Sequence, residues 1–265
     1  MTRSLLHRAG RVGLAAALLA PLGVFVLSAL SLRWFYPQPF PTEWTAVTLQ
    51  RALADPRVGA GIRDGLTIAV AVTALALIIG YPAARTLGLR RFTGRRAAWT
   101  LLFLPTVVPP LAIGMGLNIA FLRLGLAGTL IGVILAHLVP TLPYVIFTLA
   151  GAFARYDEVY EYQALALGAS RWRTLLTISL PLLAPGLLVA GLFAFLISWS
   201  QYLLTLLVGS GRILTLPVLV FSAAAGGNPA TTAALSLIFL GPPLMVIAAT
   251  AWQLRQPDGP VHEPF

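Results

Sequence analysis

An all-α, polytopic membrane fold with six transmembrane helices is what this chain predicts, on three grounds. Hydrophobic residues make up 58% of its 265 residues and charged residues only 10%, too little polar surface to cover a soluble globule of that size. The mean hydropathy is +0.87, and the apolar residues gather into six runs, each long enough for the roughly 20 residues that cross a hydrocarbon core. Helices follow because backbone groups in lipid must be satisfied within their own segment.

Residues 1–11 are a basic N-terminal segment, predicted to be cytoplasmic. The first run, Val12 to Leu32, follows RSLLHRAGR, which also raises a cleaved signal peptide. Its length, beyond the ~7 to 15 residues of a signal core, favours a first span. The external loop 33–64 carries Pro37, Pro39, Pro41 and Pro56 with Trp34, Phe35, Tyr36 and Trp44, which suits an irregular interfacial start followed by a short surface helix. Gly65 to Ala84 is the second span. RRFTGRR, Arg90 to Arg96, is a basic turn that anchors topology or touches anionic lipid.

The third span, Ala97 to Phe121, contains Pro105, Pro109 and Pro110, which should bend or unwind it. Spans four and five, Leu126 to Ala150 and Leu182 to Leu206, carry small residues four apart: Gly128, Gly132 and Ala136, then Gly186, Ala190, Ala194 and Ser198. Such stripes permit close helix approach, within one subunit or between subunits. Val208 to Pro229 is punctuated by Gly209, Gly211, Pro217, Gly226 and Gly227 and reads as a surface or re-entrant helix. The sixth span, Thr231 to Trp252, closes a transmembrane domain of residues 12–252, and the Pro-containing tail 253–265 is expected to be disordered and cytoplasmic.

A net charge of +10 would suggest a nucleic-acid partner for a soluble protein, but here the arginines sort by loop. Twelve lie on one side, in residues 3–11, 85–96, 155–173 and 255, against six on the other. The positive-inside rule therefore places both termini and the 151–181 loop in the cytoplasm, and no nucleic acid is implied. There is no Cys and no Lys, since all eighteen basic residues are Arg. A phosphate-binding loop of the G-x-x-x-x-G-K-[ST] type is thereby excluded, as is a Schiff-base lysine. The only histidines are His7, His137 and His262, and no carboxylate pair falls within a span, so no metal, cofactor or catalytic residue is expected.

Two groups of polar residues stand out. In span four His137, Thr141, Tyr144 and Thr148 fall on one helical face; Ser198, Gln201 and Thr205 do so in span five, and Asn118 lies in span three. Asn118, His137, Thr141, Tyr144, Ser198 and Gln201 are candidates to line a pathway, and interhelical hydrogen bonding is the alternative for each. The second group is the cytoplasmic stretch EYQALALGASRWRTLLTISLP, Glu161 to Pro181. Glu161, Arg171 and Arg173 resist burial in lipid, while Ala164, Leu165, Leu167, Leu175 and Leu176 supply an apolar face. The expected form is a helix, a break at Gly168, and a second helix capped by Ser170.

This stretch resembles a loop shared by the permease subunits of binding-protein-dependent ABC importers, whose pattern is Glu-Ala-Ala, three residues, Gly, nine residues, Ile, one residue, Leu-Pro. Gly168, Ile178, Leu180 and Pro181 match it, as does Ala164; Tyr162 and Gln163 occupy the family's Glu and first Ala, with Glu161 one residue earlier. PTVVPPLAIGMGL from Pro105, LRLGLAGTLIGVILAH from Leu122 and TLPVLVFS from Thr215 are similar to the spermidine/putrescine-type (MetI-like) branch. The resemblance covers roughly Gly65 to Trp252.

It implies a MetI-like permease fold in a bacterial inner membrane and a transport subunit that is not itself an enzyme. Its partners would be a dimer of cytoplasmic ABC ATPase subunits, a second permease subunit, identical or homologous, and an external substrate-binding protein. Glu161, Ala164, Gly168, Arg171, Arg173, Ile178 and Pro181 would form the ATPase-coupling loop, with Glu161, Arg171 and Arg173 at its polar rim. The implied cargo is a polyamine, with thiamine, ferric iron or an organophosphonate as rivals; Ser200 and Gln201 stand where that branch often has acidic residues. A gradient-driven secondary transporter is the other class, but such proteins carry midplane ionisable groups and internal repeats. Here His137 stands alone and no repeat is visible.

Overall fold

The computed structural model describes residues 2–31, 34 and 38–255. Arg33, Phe35, Tyr36 and Pro37 of the predicted external loop lie outside the described residues, as do residues 256–265 of the predicted tail. In chain order the helices are α1 Thr2–Ala29, α2 Val47–Ala54, α3 Pro56–Leu89, α4 Arg95–Val107, α5 Pro110–Arg123 and α6 Leu130–Phe153, followed by α7 Val159–Ala166 and α8 Arg171–Thr174. A π-helical turn, Leu175–Ser179, leads into α9 Leu180–Trp199; α10 Leu203–Gly209, α11 Leu216–Ala225 and α12 Pro229–Arg255 complete the chain. No strand occurs among the described residues, only an isolated bridge between Ser31 and Trp44.

Among the described residues four helical runs are long and apolar enough to cross a membrane: α3, α6, Arg171–Trp199 and α12. The third predicted span is the pair α4 and α5, bent by 97°. Val108 and Pro109 are extended at the bend. Pro109 and Pro110 lack backbone donors, and a residue preceding proline avoids the helical region, so the sequence forces the break. The first predicted span overlaps α1 over residues 12–29, and the apolar portion of that helix, Leu19–Ala29, is shorter than a full span.

The chain divides into two compact units, residues 1–63 with 214–241 and residues 64–213 with 242–265. In the first, Thr45 N–H donates to the Leu30 carbonyl at 2.8 Å, α2 supplies the short surface helix expected in the external loop, and α11 is the helix expected between Val208 and Pro229.

The second unit is built around α6. Its Val133, Ala136, Val145, Leu149 and Phe153 are buried against Ile68, Val72 and Ala76 of α3 and Leu183, Ala190 and Ala194 of α9. Glycines allow the close approach. A Cβ on Gly88 of α3 would lie 2.6 Å from the Phe153 Cβ and 2.9 Å from the Ala150 carbonyl oxygen, and one on Gly186 of α9 would lie 2.7 Å from the Ala152 Cβ. The α9 stripe thus packs within the subunit. Gly128 departs from its predicted stripe: α6 begins only after Thr129, whose hydroxyl caps it by accepting from Gly132 N–H. Gly128 itself has φ +72° and donates to the Val208 carbonyl at 2.8 Å.

The predicted fifth span, Leu182 to Leu206, is not one helix. It starts earlier and stops at Trp199, and α10 begins at Leu203. Neither Gly nor Pro marks this break; a run of hydroxyl and amide side chains does, with Ser200 Oγ bonding the Ile197 carbonyl and Thr205 Oγ1 the Gln201 carbonyl.

His137 joins three helices. It is 1% exposed, its Nδ1 lies 3.0 Å from Ser198 Oγ of α9, and its Nε2 lies 3.0 Å from Thr205 Oγ1 of α10. Because the Thr205 hydrogen is committed to the Gln201 carbonyl, Thr205 oxygen accepts from Nε2–H and Nδ1 accepts from Ser198. The neutral imidazole is satisfied at both nitrogens. Thr141, one turn on, donates to the His137 carbonyl at 2.7 Å.

Two substitutions test this packing by unfolding in detergent. Gly88→Ala should destabilise the permease by about 1–3 kcal/mol, because backbone as well as side chain must yield; an unchanged midpoint would contradict the close approach. Thr205→Val should cost about 1 kcal/mol by leaving the Nε2–H unpaired. A neutral result there would contradict the His137–Thr205 hydrogen bond.

Candidate functional site

The segment from Ala154 to Pro181 owes its shape to local signals that the sequence carries. Asp157 accepts from Val159 N–H at 2.9 Å and so starts α7. At the other end Gly168 takes φ +87°, with Gly168 N–H donating to the Leu165 carbonyl and Ala169 N–H to the Ala164 carbonyl, both at 3.0 Å. That pair of bonds is a Schellman closure, which requires a left-handed residue and therefore favours Gly. Ser170 then caps α8, its Oγ accepting from Arg173 N–H at 3.2 Å. The predicted helix, break and capped second helix are all present.

One face of this segment is apolar and open. Leu167 is 89% exposed and Trp172 71%, and Tyr160 and Leu176 of the same segment are exposed as well. Tyr160, Ala164, Leu167, Ile178 and Pro181 border a shallow cavity of about 420 Å³. Arg171 and Arg173 are also exposed.

Glu161 is not. It was expected at the polar rim with the two arginines, but it is only 7% exposed and faces inward. Its Oε2 accepts from Arg85 Nη2 at 2.5 Å, and its Oε1 accepts from Tyr156 OH at 2.8 Å and Ser179 Oγ at 2.7 Å. Three donors from three parts of the chain explain the inward turn, since a buried carboxylate without them would be unstable. Burial acts to raise the Glu161 pKa, but hydrogen bonds from Arg85, Ser179 and Tyr156 together with the Arg85 charge outweigh it and hold the carboxyl below its ordinary value. The group is charged at neutral pH. Burial pushes the Tyr156 phenol up to about 12, so it stays protonated and donates. Beside it, Glu158 Oε1 lies 2.7 Å from Arg90 Nη2 and 3.5 Å from Arg85 Nη2.

Arg85, Arg90, Tyr156, Glu158 and Ser179 are thus functional candidates that the sequence reading missed. Its arginines had been counted only as a topology signal. The available clue was the three-residue spacing of Glu158 and Glu161, which puts both acids on one side of α7 opposite two arginines of the loop predicted to be cytoplasmic.

The residues predicted to line a pathway separate in the structure. His137 and Ser198 are buried in an interhelical bond, the second of the two readings open for them, and Thr141 is buried with its hydroxyl bonded to the His137 carbonyl within α6. Tyr144 is exposed on α6, Gln201 lies half-buried in the break between α9 and α10, and Asn118 on α5 has a buried Oδ1 with no hydrogen-bond partner among the described residues.

Known proteins agree with this architecture. Residues 76–251 match the family described as the binding-protein-dependent transport system inner membrane component. A Salmonella typhimurium protein provisionally named a 2-aminoethylphosphonate transport system permease is 30% identical over 233 residues, covering 86% of this chain and 85% of its own. A molybdenum transport system permease protein of Mycobacterium tuberculosis is 30% identical over 225 residues, covering 79% of this chain and 81% of its own. Among solved structures, a bacterial ABC transporter involved in import of the acidic polysaccharide alginate superposes with a TM-score of 0.73 at 16% identity, over 97% of each chain, which speaks to the fold. With the family pattern spanning most of the transmembrane region and the helical loop that carries Gly168 in place, the chain belongs to the binding-protein-dependent transport system inner membrane components, the permease subunits of ABC importers.

Proposed function

We propose that residues 157–181 are the element through which this permease receives force from a cytoplasmic ATPase dimer, and that the chain forms one half of a translocation pathway with a second permease subunit. The observation that carries this reading is the apolar face around Leu167 and Trp172, exposed next to charged Arg171 and Arg173 on a segment whose backbone is fixed at both ends by capping bonds. Apolar anchors with a charged rim suit a protein groove. Nucleotide-driven closure of the ATPase pair would draw two such segments together and shift the attached helices between inward-open and outward-open arrangements. The lack of any Lys means that ATP hydrolysis belongs to the partner. Both termini are assigned to the cytoplasm by the arginine distribution.

The gradient-driven alternative finds no ready proton carrier, because both His137 nitrogens are already engaged. Asn118 and Gln201 are the better pathway candidates, since Asn118 Oδ1 is unpaired and Gln201 lies at a helix break. For cargo, we favour a small oxyanion of the phosphonate or molybdate kind over a polyamine. The relatives named above point that way, and the predicted spans hold no carboxylate pair to receive a polycation. An external binding protein would supply most of the selectivity.

Replacing Gly168 by Trp strains a left-handed position and adds bulk at the docking face. The expected result is normal insertion with ATP hydrolysis of the assembled complex reduced about tenfold, equivalent to about 1.4 kcal/mol; undiminished hydrolysis would argue against docking through this loop. Cells bearing the complete system should take up labelled 2-aminoethylphosphonate or molybdate and not spermidine. Uptake of spermidine alone would reverse the cargo assignment.

A further inference from the structure

The coupling segment is covalently continuous with α6 on one side and with α9 on the other, but α3 has no such connection to it. What joins α3 to α7 is a pair of charged contacts at the cytoplasmic end: Arg85, in the last turns of α3, with Glu161, and Arg90, just beyond α3, with Glu158. Glu158 and Glu161 stand three residues apart at the start of α7, so the helix is held at two points and cannot swivel about one. The far oxygen of Glu161 is bound by Tyr156, which follows α6, and by Ser179, the last residue of the π-helical turn that opens into α9. One carboxylate therefore gathers the ends of three membrane helices around α7.

We infer that Arg85 and Glu161 are positioning residues that make the cytoplasmic end of α3 move with the coupling segment, so that force from the ATPase enters the bundle through α3 as well as through α9. This rests on the docking role proposed above. The π turn between α8 and α9 is a distortion of the kind that accommodates movement, and without a second route the pull on α7 would be absorbed there. The Arg85 contacts supply that route. Both pass through a single nitrogen, Nη2, so a lysine ammonium can replace them in part while an uncharged side chain cannot.

The chain has no cysteine, so Thr86→Cys, exposed on α3 beside Arg85, provides a single thiol. The full permease, assembled with its ATPase in nanodiscs, is treated with a membrane-impermeant maleimide without nucleotide and after trapping with ATP and orthovanadate. Modification is read on the separated permease band. With Arg85 and Glu161 intact, the labelling rate should change on trapping. Arg85→Met and the isosteric Glu161→Gln should lose that response while retaining the ATPase, and Arg85→Lys should keep it. Simple shielding of Thr86→Cys by the ATPase would instead survive in Arg85→Met. A wild-type response in Arg85→Met or Glu161→Gln, no response with the pair intact, or loss of the ATPase from both variants would each overturn the inference. The parent reading fails separately, by Gly168→Trp retaining full ATPase activity.

Discussion

A carboxylate cannot be taken out of water without partners, and at Glu161 that requirement organises the end of the bundle that carries α7. Arg85 brings α3, Tyr156 brings the end of α6, and Ser179 brings the turn that leads into α9. Removing any one donor would leave a buried charge poorly compensated, so the three are mutually dependent. The same arrangement frees the other side of the segment. With Glu161 turned inward, the outward face is left to Leu167, Trp172 and their neighbours, an apolar surface that one subunit does not cover.

The membrane imposes a second constraint, on how the helices that carry this segment are held. Lipid tails offer no hydrophobic drive for helix association, so close backbone approach and buried hydrogen bonds must hold the bundle together. Gly88 and Gly186 let α3 and α9 approach α6, and His137 bonds α6 to α9 and α10. Gly88 lies three residues beyond Arg85, so the tight α3–α6 contact and the charged contact with α7 occupy the same end of one helix. A displacement applied there acts on a packed junction.

Much of this was legible in the sequence because it depends on local chemistry. Gly168 followed by Ser170 foretells the Schellman turn and the cap, Pro109–Pro110 foretells the broken third span, and small residues four apart foretell the packing of α9. The features missed depend on distant partners or on competition without a strong signal. Glu161 read alone looks like a rim residue; its partner Arg85 is 76 positions away, and the spacing of Glu158 and Glu161 is the one local hint of the pairing. The end of α9 at Trp199 is marked only by side-chain hydroxyls and an amide competing for backbone groups. His137 showed polarity on an apolar helix, but whether it faced a pathway or a neighbouring helix depended on where Ser198 and Thr205 would fall. Thr205 reaches it from α10, a separate helix that the sequence reading had merged with α9.

The central claim is that α7 is at once the surface on which an ATPase acts and a body tied to α3 through Glu161. Cryo-electron microscopy of the permease assembled with its ATPase, without nucleotide and trapped with ATP and orthovanadate, tests both halves together. The account predicts Leu167 and Trp172 seated in the ATPase in each state, with density joining Arg85 to Glu161 throughout and α3 displaced together with α7. An ATPase bound elsewhere, or an Arg85–Glu161 contact that opens as α7 moves away from a stationary α3, would contradict it.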